Sequence, residues 1–143
     1  MANPSITGTV GVKSFSASSI LSTATTNECI IGNVASSGKL IRIHSLTVHN
    51  IDGTNAATFQ LKRRDQDGVP MHSNVGTYQA AIGGDTVAGT DVGGFHNISV
   101  AAANSLVVYD NSMNVTLQED ESFVMQASAA NDLSVEINYS VIG

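Results

Sequence analysis

The chain is 143 residues long, with six basic and twelve acidic residues for a net charge of −6, and a single cysteine. That length fits one domain with a sizeable core, the charge argues against general binding to nucleic-acid phosphates, and the lone Cys29 excludes an intrachain disulfide. Charged residues make up 13% of the chain, against about 25% in an average domain, so the surface is rich in Ser, Thr, Asn and Ala and suits packing against protein copies.

Residues 1–26 contain few large apolar groups, and eight of the thirteen residues from Ser14 to Thr26 are Ser or Thr. This reads as an extended N-terminal arm or a loosely held edge strand, with Lys13 and Phe15 as its candidate contact residues. Glu28 to Val34 is a short strand, and Lys39 to Ile51 is the longest strand candidate. Along that second strand the apolar parity shifts, with Ile41 and Ile43 on one side and Leu46 and Val48 on the other. Either a β-bulge near His44-Ser45 or cover on both faces would account for the shift.

Asp52-Gly53-Thr54-Asn55 is a turn signal, and Ala57 to Arg64 follows as a strand with Phe59 and Leu61 inward. Together the two strands are expected to form a hairpin. Residues 71–95 hold six glycines and few large apolar side chains, which predicts a long loop of the kind that often binds a partner. Strand pattern resumes at Asn97 to Ala101 and at Leu106 to Tyr109. Three alternating segments close the chain: Met113 to Leu117, Phe123 to Ala127 and Leu133 to Val141. Their period of two marks strands with one buried and one wet face.

No segment has a helical apolar period. Seven or eight strands separated by polar turns predict an all-β fold, an antiparallel, jelly-roll-like β-sandwich with little or no helix. The expected division is an arm over 1–26 and one sandwich domain over 27–143, interrupted by the glycine-rich loop. No basic n-region followed by an apolar run marks a signal peptide, and no apolar stretch approaches the ~20 residues of a membrane span, so neither secretion nor a membrane partner is expected.

Charge is unevenly placed along the chain. All six bases (Lys13, Lys39, Arg42, Lys62, Arg63 and Arg64) lie in the first 64 positions, where two acids leave a balance of +4; the remainder holds ten acids and no base. The two halves could interleave and average out, or a basic patch could meet an acidic patch on a neighbouring subunit. Lys62-Arg63-Arg64 is the densest basic run, and it suits contact with an acidic protein better than with nucleic acid, because interleaved aromatic residues are missing.

Chemistry-bearing motifs fail one by one. No Gly-x-Ser-x-Gly elbow exists among the many serines, so a hydrolase is not expected. On a regular strand His44 and His49 would point to opposite faces, which argues against a metal pair. Asp65-Gln66-Asp67-Gly68 begins like a calcium loop, but no Glu closes it at the twelfth position. Glu119-Asp120-Glu121 reads as a solvated turn, and no cofactor cradle follows Gly83-Gly84.

Two segments carry a family likeness. Ile43 to Leu61 has the order strand, Asn-x-Asp-Gly-x-x-Ala, strand, and resembles small structural proteins of tailed bacteriophages. From Asn104 to Val135 the chain is similar to the same family, including a Leu-x-Glu-x-Asp-x-Leu link in which Glu121 and Phe123 stand at the last two positions. The resemblance covers about 100 residues and leaves out the arm and the glycine-rich loop. It implies a non-enzymatic virion component, assembled in the host cytoplasm in several copies with a trimer favoured. Its partners would be other copies of itself and the major capsid protein or other virion proteins, and it would use no cofactor or metal. A capsid decoration (cement) protein fits the likeness, and a neck or tail ring subunit is the alternative. A carbohydrate-binding jelly roll is a weaker reading, since Phe15, Tyr78 and Phe95 are the only aromatic residues outside expected core strands.

Overall fold

A computed structural model describes residues 11–34, 36–65 and 90–143. Among the described residues, nine strands build two antiparallel sheets that pack face to face. One sheet contains β1 (Val12–Ile20), β9 (Leu133–Ile142), β3 (Leu40–Asn50) and β6 (Ser105–Tyr109) in that spatial order, with β7 (Thr116–Leu117) beside β3. The other contains β2 (Glu28–Gly32), β8 (Glu121–Ala127), β4 (Ala57–Asp65) and β5 (Thr90–Val100). With the two-residue β7 set aside, the sheet orders become 1-8-3-6 and 2-7-4-5, which is the jelly-roll arrangement of two interlocked Greek keys. Helix is limited to one 3-10 turn at Asn111–Met113 among the described residues.

The core lies between the sheets. Ile41, Ile43, Leu46 and Val48 of β3 face Phe59 and Leu61 of β4, with Phe123, Met125 and Ala127 of β8 and Val135, Ile137 and Tyr139 of β9 completing the cluster. All of these side chains are at most 2% exposed, so the inter-sheet space is filled by aliphatic groups and a few rings.

The parity shift in β3 is a bulge. Its ladder with β9 slips between Ile43 and Ser45, placing one unopposed residue, His44, on β3. That residue resets the alternation, so all four apolar side chains point inward and cover on the second face is not required.

The expected β3–β4 hairpin does not form, because the two strands belong to different sheets. A tight hairpin turn needs positive φ at Asp-Gly, and no residue from 51 to 56 has it. Side chains instead hold the link as an arch. Asn50 donates through Nδ2 to the carbonyls of Asn55 (2.9 Å) and Val100 (3.0 Å) and accepts the Asp52 N–H at 2.9 Å. Asp52 in turn accepts the Thr54 N–H at 2.8 Å. Both donors hold the Asp52 carboxylate below its ordinary range: the Thr54 N–H most, then the Asn55 amide.

The β2–β3 link repeats the device. Buried Asn33 donates to the carbonyls of Lys39 (2.8 Å) and Leu117 (3.1 Å) and accepts from the Ser37 hydroxyl at 2.8 Å. Asn50→Ala is expected to cost about 3 kcal/mol, from roughly 1 kcal/mol for each of its three bonds, read as a lower urea midpoint with an unchanged slope.

The last three strands also divide between the sheets: β7 and β9 join one, β8 the other. The turn before β8 places Asp120 at φ 67°, and the turn before β9 places Asn131 at φ 65°, a left-handed conformation that Asp and Asn tolerate. Strand β5 begins at Thr90, inside the segment expected to be loop; residues 66–89 lie outside the described part.

At the N-terminal end, Val12–Ile20 pairs with β9 along its whole length, from Val12 opposite Ile142 to Ile20 opposite Ser134. Leu21 is 1% exposed in the core. The sandwich therefore starts well before residue 27, and of the two readings of this segment the edge strand is the one the structure has.

Candidate interaction surface

Among the described residues, three surfaces place the polar chemistry: the open end of β1, the outer face of the β1-β9-β3-β6 sheet, and the end of the sandwich near Arg63.

Strand β1 turns Lys13, Phe15 and Ala17 toward the core side, because Phe15 and Ala17 lie opposite the buried Tyr139 and Ile137 of β9. Ala17 reaches the core. Phe15 lies at the rim, 42% exposed, and stacks on the Tyr139 ring with centroids 5.3 Å apart and an interplanar angle of 23°. Lys13 lies beyond the covered zone. A groove of about 240 Å³ opens there, lined by Gly11, Lys13, Phe15, Lys39, Val141 and Gly143. Lys39 donates from Nζ to the Gly143 carbonyl at 3.0 Å, which holds one ammonium over the groove wall. Gly143 (φ +132°) fits because a Cβ there would lie 2.8 Å from the Gly38 carbonyl oxygen. Two lysines beside an aromatic ring and an apolar wall, with no Asp or Glu among the lining residues, suit an acidic side chain of a neighbouring protein. Lys13 and Phe15 were legible as contact residues from sequence; Lys39 was not, because only the fold brings it beside them.

The outer face of the same sheet is a flat field of small polar groups already bonded to one another. His44 contacts the Ser140 hydroxyl at 2.6 Å and the Asn111 side-chain oxygen at 3.1 Å. Ser140 meets Ser14 at 3.0 Å, and Asn138 donates to Ser45 at 2.8 Å. His49 contacts Ser105 at 2.6 Å and lies 3.5 Å from the Glu136 carboxylate. His44 and His49 thus share one face, contrary to the regular-strand expectation: the bulge at His44 inverts the parity between them. Each engages different partners, and no three His, Cys, Asp or Glu side chains gather as a metal site among the described residues. Cys29 is buried.

The basic run on β4 is split by the strand's alternation. Arg63 follows Phe59 and Leu61 on the inward side and donates to the Glu121 carboxylate (2.5 Å) and the Thr116 carbonyl (2.9 Å). Glu121 also accepts the Gln118 N–H at 2.7 Å. This pair closes one end of the sandwich beside Tyr109, whose ring meets Phe123 at 5.4 Å. Burial raises the Tyr109 phenol above its ordinary pKa, with the Arg63 charge opposing the shift. Lys62 lies opposite Val124 on β8 and Gly94 on β5, and its alternation puts it on the other face from Arg63. Arg64 is described by its backbone, opposite Ser122 and Asp91; Phe95 likewise, opposite Leu61. Tyr78 lies outside the described residues.

Glu119, Asp120 and Glu121 do not form the solvated turn expected from sequence. Glu119 is 8% exposed and accepts the Gly38 N–H at 2.6 Å, so it clamps the β2–β3 link, while Glu121 neutralises Arg63. Adjacent acids signal solvent exposure only when no folded partner claims them. Glu28 is a second acid of this kind, 1% exposed and held by the Ser22 N–H at 3.0 Å and the Ser22 hydroxyl at 2.7 Å.

The charge halves interleave fully. Every ladder joins a strand from residues 12–65 to one from residues 90–142. The +4 and −10 segments are therefore laid side by side within both sheets.

No known protein-family model matches the chain. No curated protein is significantly similar to it.

Proposed function

We propose that the chain is a non-enzymatic structural protein of a tailed-phage virion, a capsid decoration (cement) protein that binds the major capsid shell in many copies. The observation that carries the reading is the jelly-roll sandwich with its interior filled by aliphatic side chains, which leaves the chemistry of the molecule on its surfaces. The resemblance of residues 43–61 and 104–135 to small phage structural proteins supplies the context. Contact would run through the Lys13, Phe15 and Lys39 groove, with an acidic side chain of the shell between the two ammonium groups.

A neck or tail ring subunit remains the second reading, since the same surfaces would serve there. A carbohydrate module is less well supported, because the Phe15 ring already has one face stacked on Tyr139.

The test is co-sedimentation of the purified chain with empty shells assembled from the major capsid protein of the same genome. Saturable binding at a fixed number of copies per shell is expected, weakened at least tenfold by the double substitution K13E/K39E. Binding to isolated tails and not to shells would replace the decoration reading by the tail reading. Binding to neither would overturn the virion reading.

A further inference from the structure

We infer that β1 is a homodimerisation edge, pairing antiparallel with β1 of a second copy about a two-fold axis through Ser16. The inference does not depend on the virion reading.

Each sheet has two edges, and β1 differs from the other three. The β2, β5 and β6 ladders are all interrupted by register shifts: one in β2–β8, two in β4–β5 and one in β3–β6. Such irregularities twist an edge and discourage pairing. The nine-residue β1 ladder with β9 runs without a shift, contains no proline, and carries one charge, Lys13. Among the described residues β1 pairs with β9 alone, so its other side presents a regular row of main-chain donors and acceptors.

The side chains show which partner this edge fits. On the outer face of the sheet β1 presents Val12, Ser14, Ser16, Ser18 and Ile20, a series that reads nearly the same in both directions. Val12 and Ile20 are both exposed large apolar side chains, at 62% and 48%. An antiparallel partner centred on Ser16 puts Val12 of each copy opposite Ile20 of the other and covers both apolar ends at once. Ser14 then meets Ser18, and Ser16 meets its own equivalent. On the inner face Phe15 falls opposite the small Ala17, and Lys13 falls opposite Ser19, so no like charges meet. Moving the axis by one residue to Phe15 or Ala17 leaves Val12 facing a serine, Ser18 or Ser22. The axis through Ser16 also aligns all nine residues, and an isologous contact of this kind closes after two copies. The two sheets would merge into one continuous sheet with β1 at its centre.

A dimer of this geometry differs from the trimer that the family resemblance implies. The solution mass of the full chain by light scattering decides, with circular dichroism to verify the fold of each variant. The expected result is twice 14.8 kDa for the unaltered chain. The V12K/I20K variant places like charges opposite each other at both ends and should weaken dimerisation at least tenfold. The V12K/I20E variant places opposite charges there and should restore the dimer at low salt and lose it at high salt. A monomeric or trimeric unaltered chain would overturn the proposal, as would a dimer insensitive to V12K/I20K. The assay uses no capsid shell, so its outcome is separate from that of the co-sedimentation test.

Discussion

Deletion of His44 is expected to leave the protein folded. The residue is the unopposed one in β3, and without it Ile41, Ile43, Leu46 and Val48 fall on one regular period of two and still point inward. The β3–β9 ladder then runs from Ile43 opposite Tyr139 to Ser45 opposite Asn138 without a slip. Asn50 keeps its inward place and the three bonds that hold the arch into β4. The cost is about 1 kcal/mol, from the outer-face bonds to Ser140 and Asn111, and His44→Ala, which keeps the extra residue, should cost the same. Thermal melts followed by circular dichroism compare the two variants. A deletion variant that no longer melts cooperatively would show that the bulge itself is needed.

A large effect lies at the N-terminal end of the chain. A truncation lacking residues 1–26 removes the whole β1 ladder, the Phe15 ring from Tyr139, and Leu21 from the core. It also removes Ser22, which donates both of its hydrogen bonds to the buried Glu28 carboxylate, and an uncompensated buried charge is among the costliest defects a fold can carry. The truncated chain is expected to be unfolded or molten, with weak near-ultraviolet circular dichroism. Leu21→Ala isolates one share of this, about 2–5 kcal/mol in urea denaturation. The segment is thus part of what any partner-binding experiment requires to be folded. Loss of binding by a 1–26 deletion would report on stability, which is why the groove is better probed through Lys13 and Lys39.

These two predictions also mark where sequence reasoning reached and where it stopped. The bulge was legible as one of two readings, because Ile41, Ile43, Leu46 and Val48 break parity within one strand; cover on both faces would have explained the same pattern. The consequence for His44 and His49 was missed, because their facing was judged on a regular strand. The β3–β4 hairpin was misread from Asp52-Gly53: local turn chemistry permits a hairpin but does not exclude an arch. The choice was made by Asn50, whose amide reaches the Val100 carbonyl fifty residues away. The acids at 119–121 looked solvated because their partners, Gly38 and Arg63, are distant in sequence.

By itself the sequence determined that the chain is all-β and two-layered, with strands near their observed positions, since a side-chain period of two is a local property that follows from one face being buried. Which strands pair was decided only by the tertiary structure. Most ladders join residues far apart in the chain, and ladder hydrogen bonds run between backbone groups that are alike at every residue, so composition cannot encode the choice of neighbour. The same holds for the groove: Lys13 and Lys39 line one wall because β1 and β3 flank the same strand, β9. That adjacency exists only once the two sheets have closed over their common core.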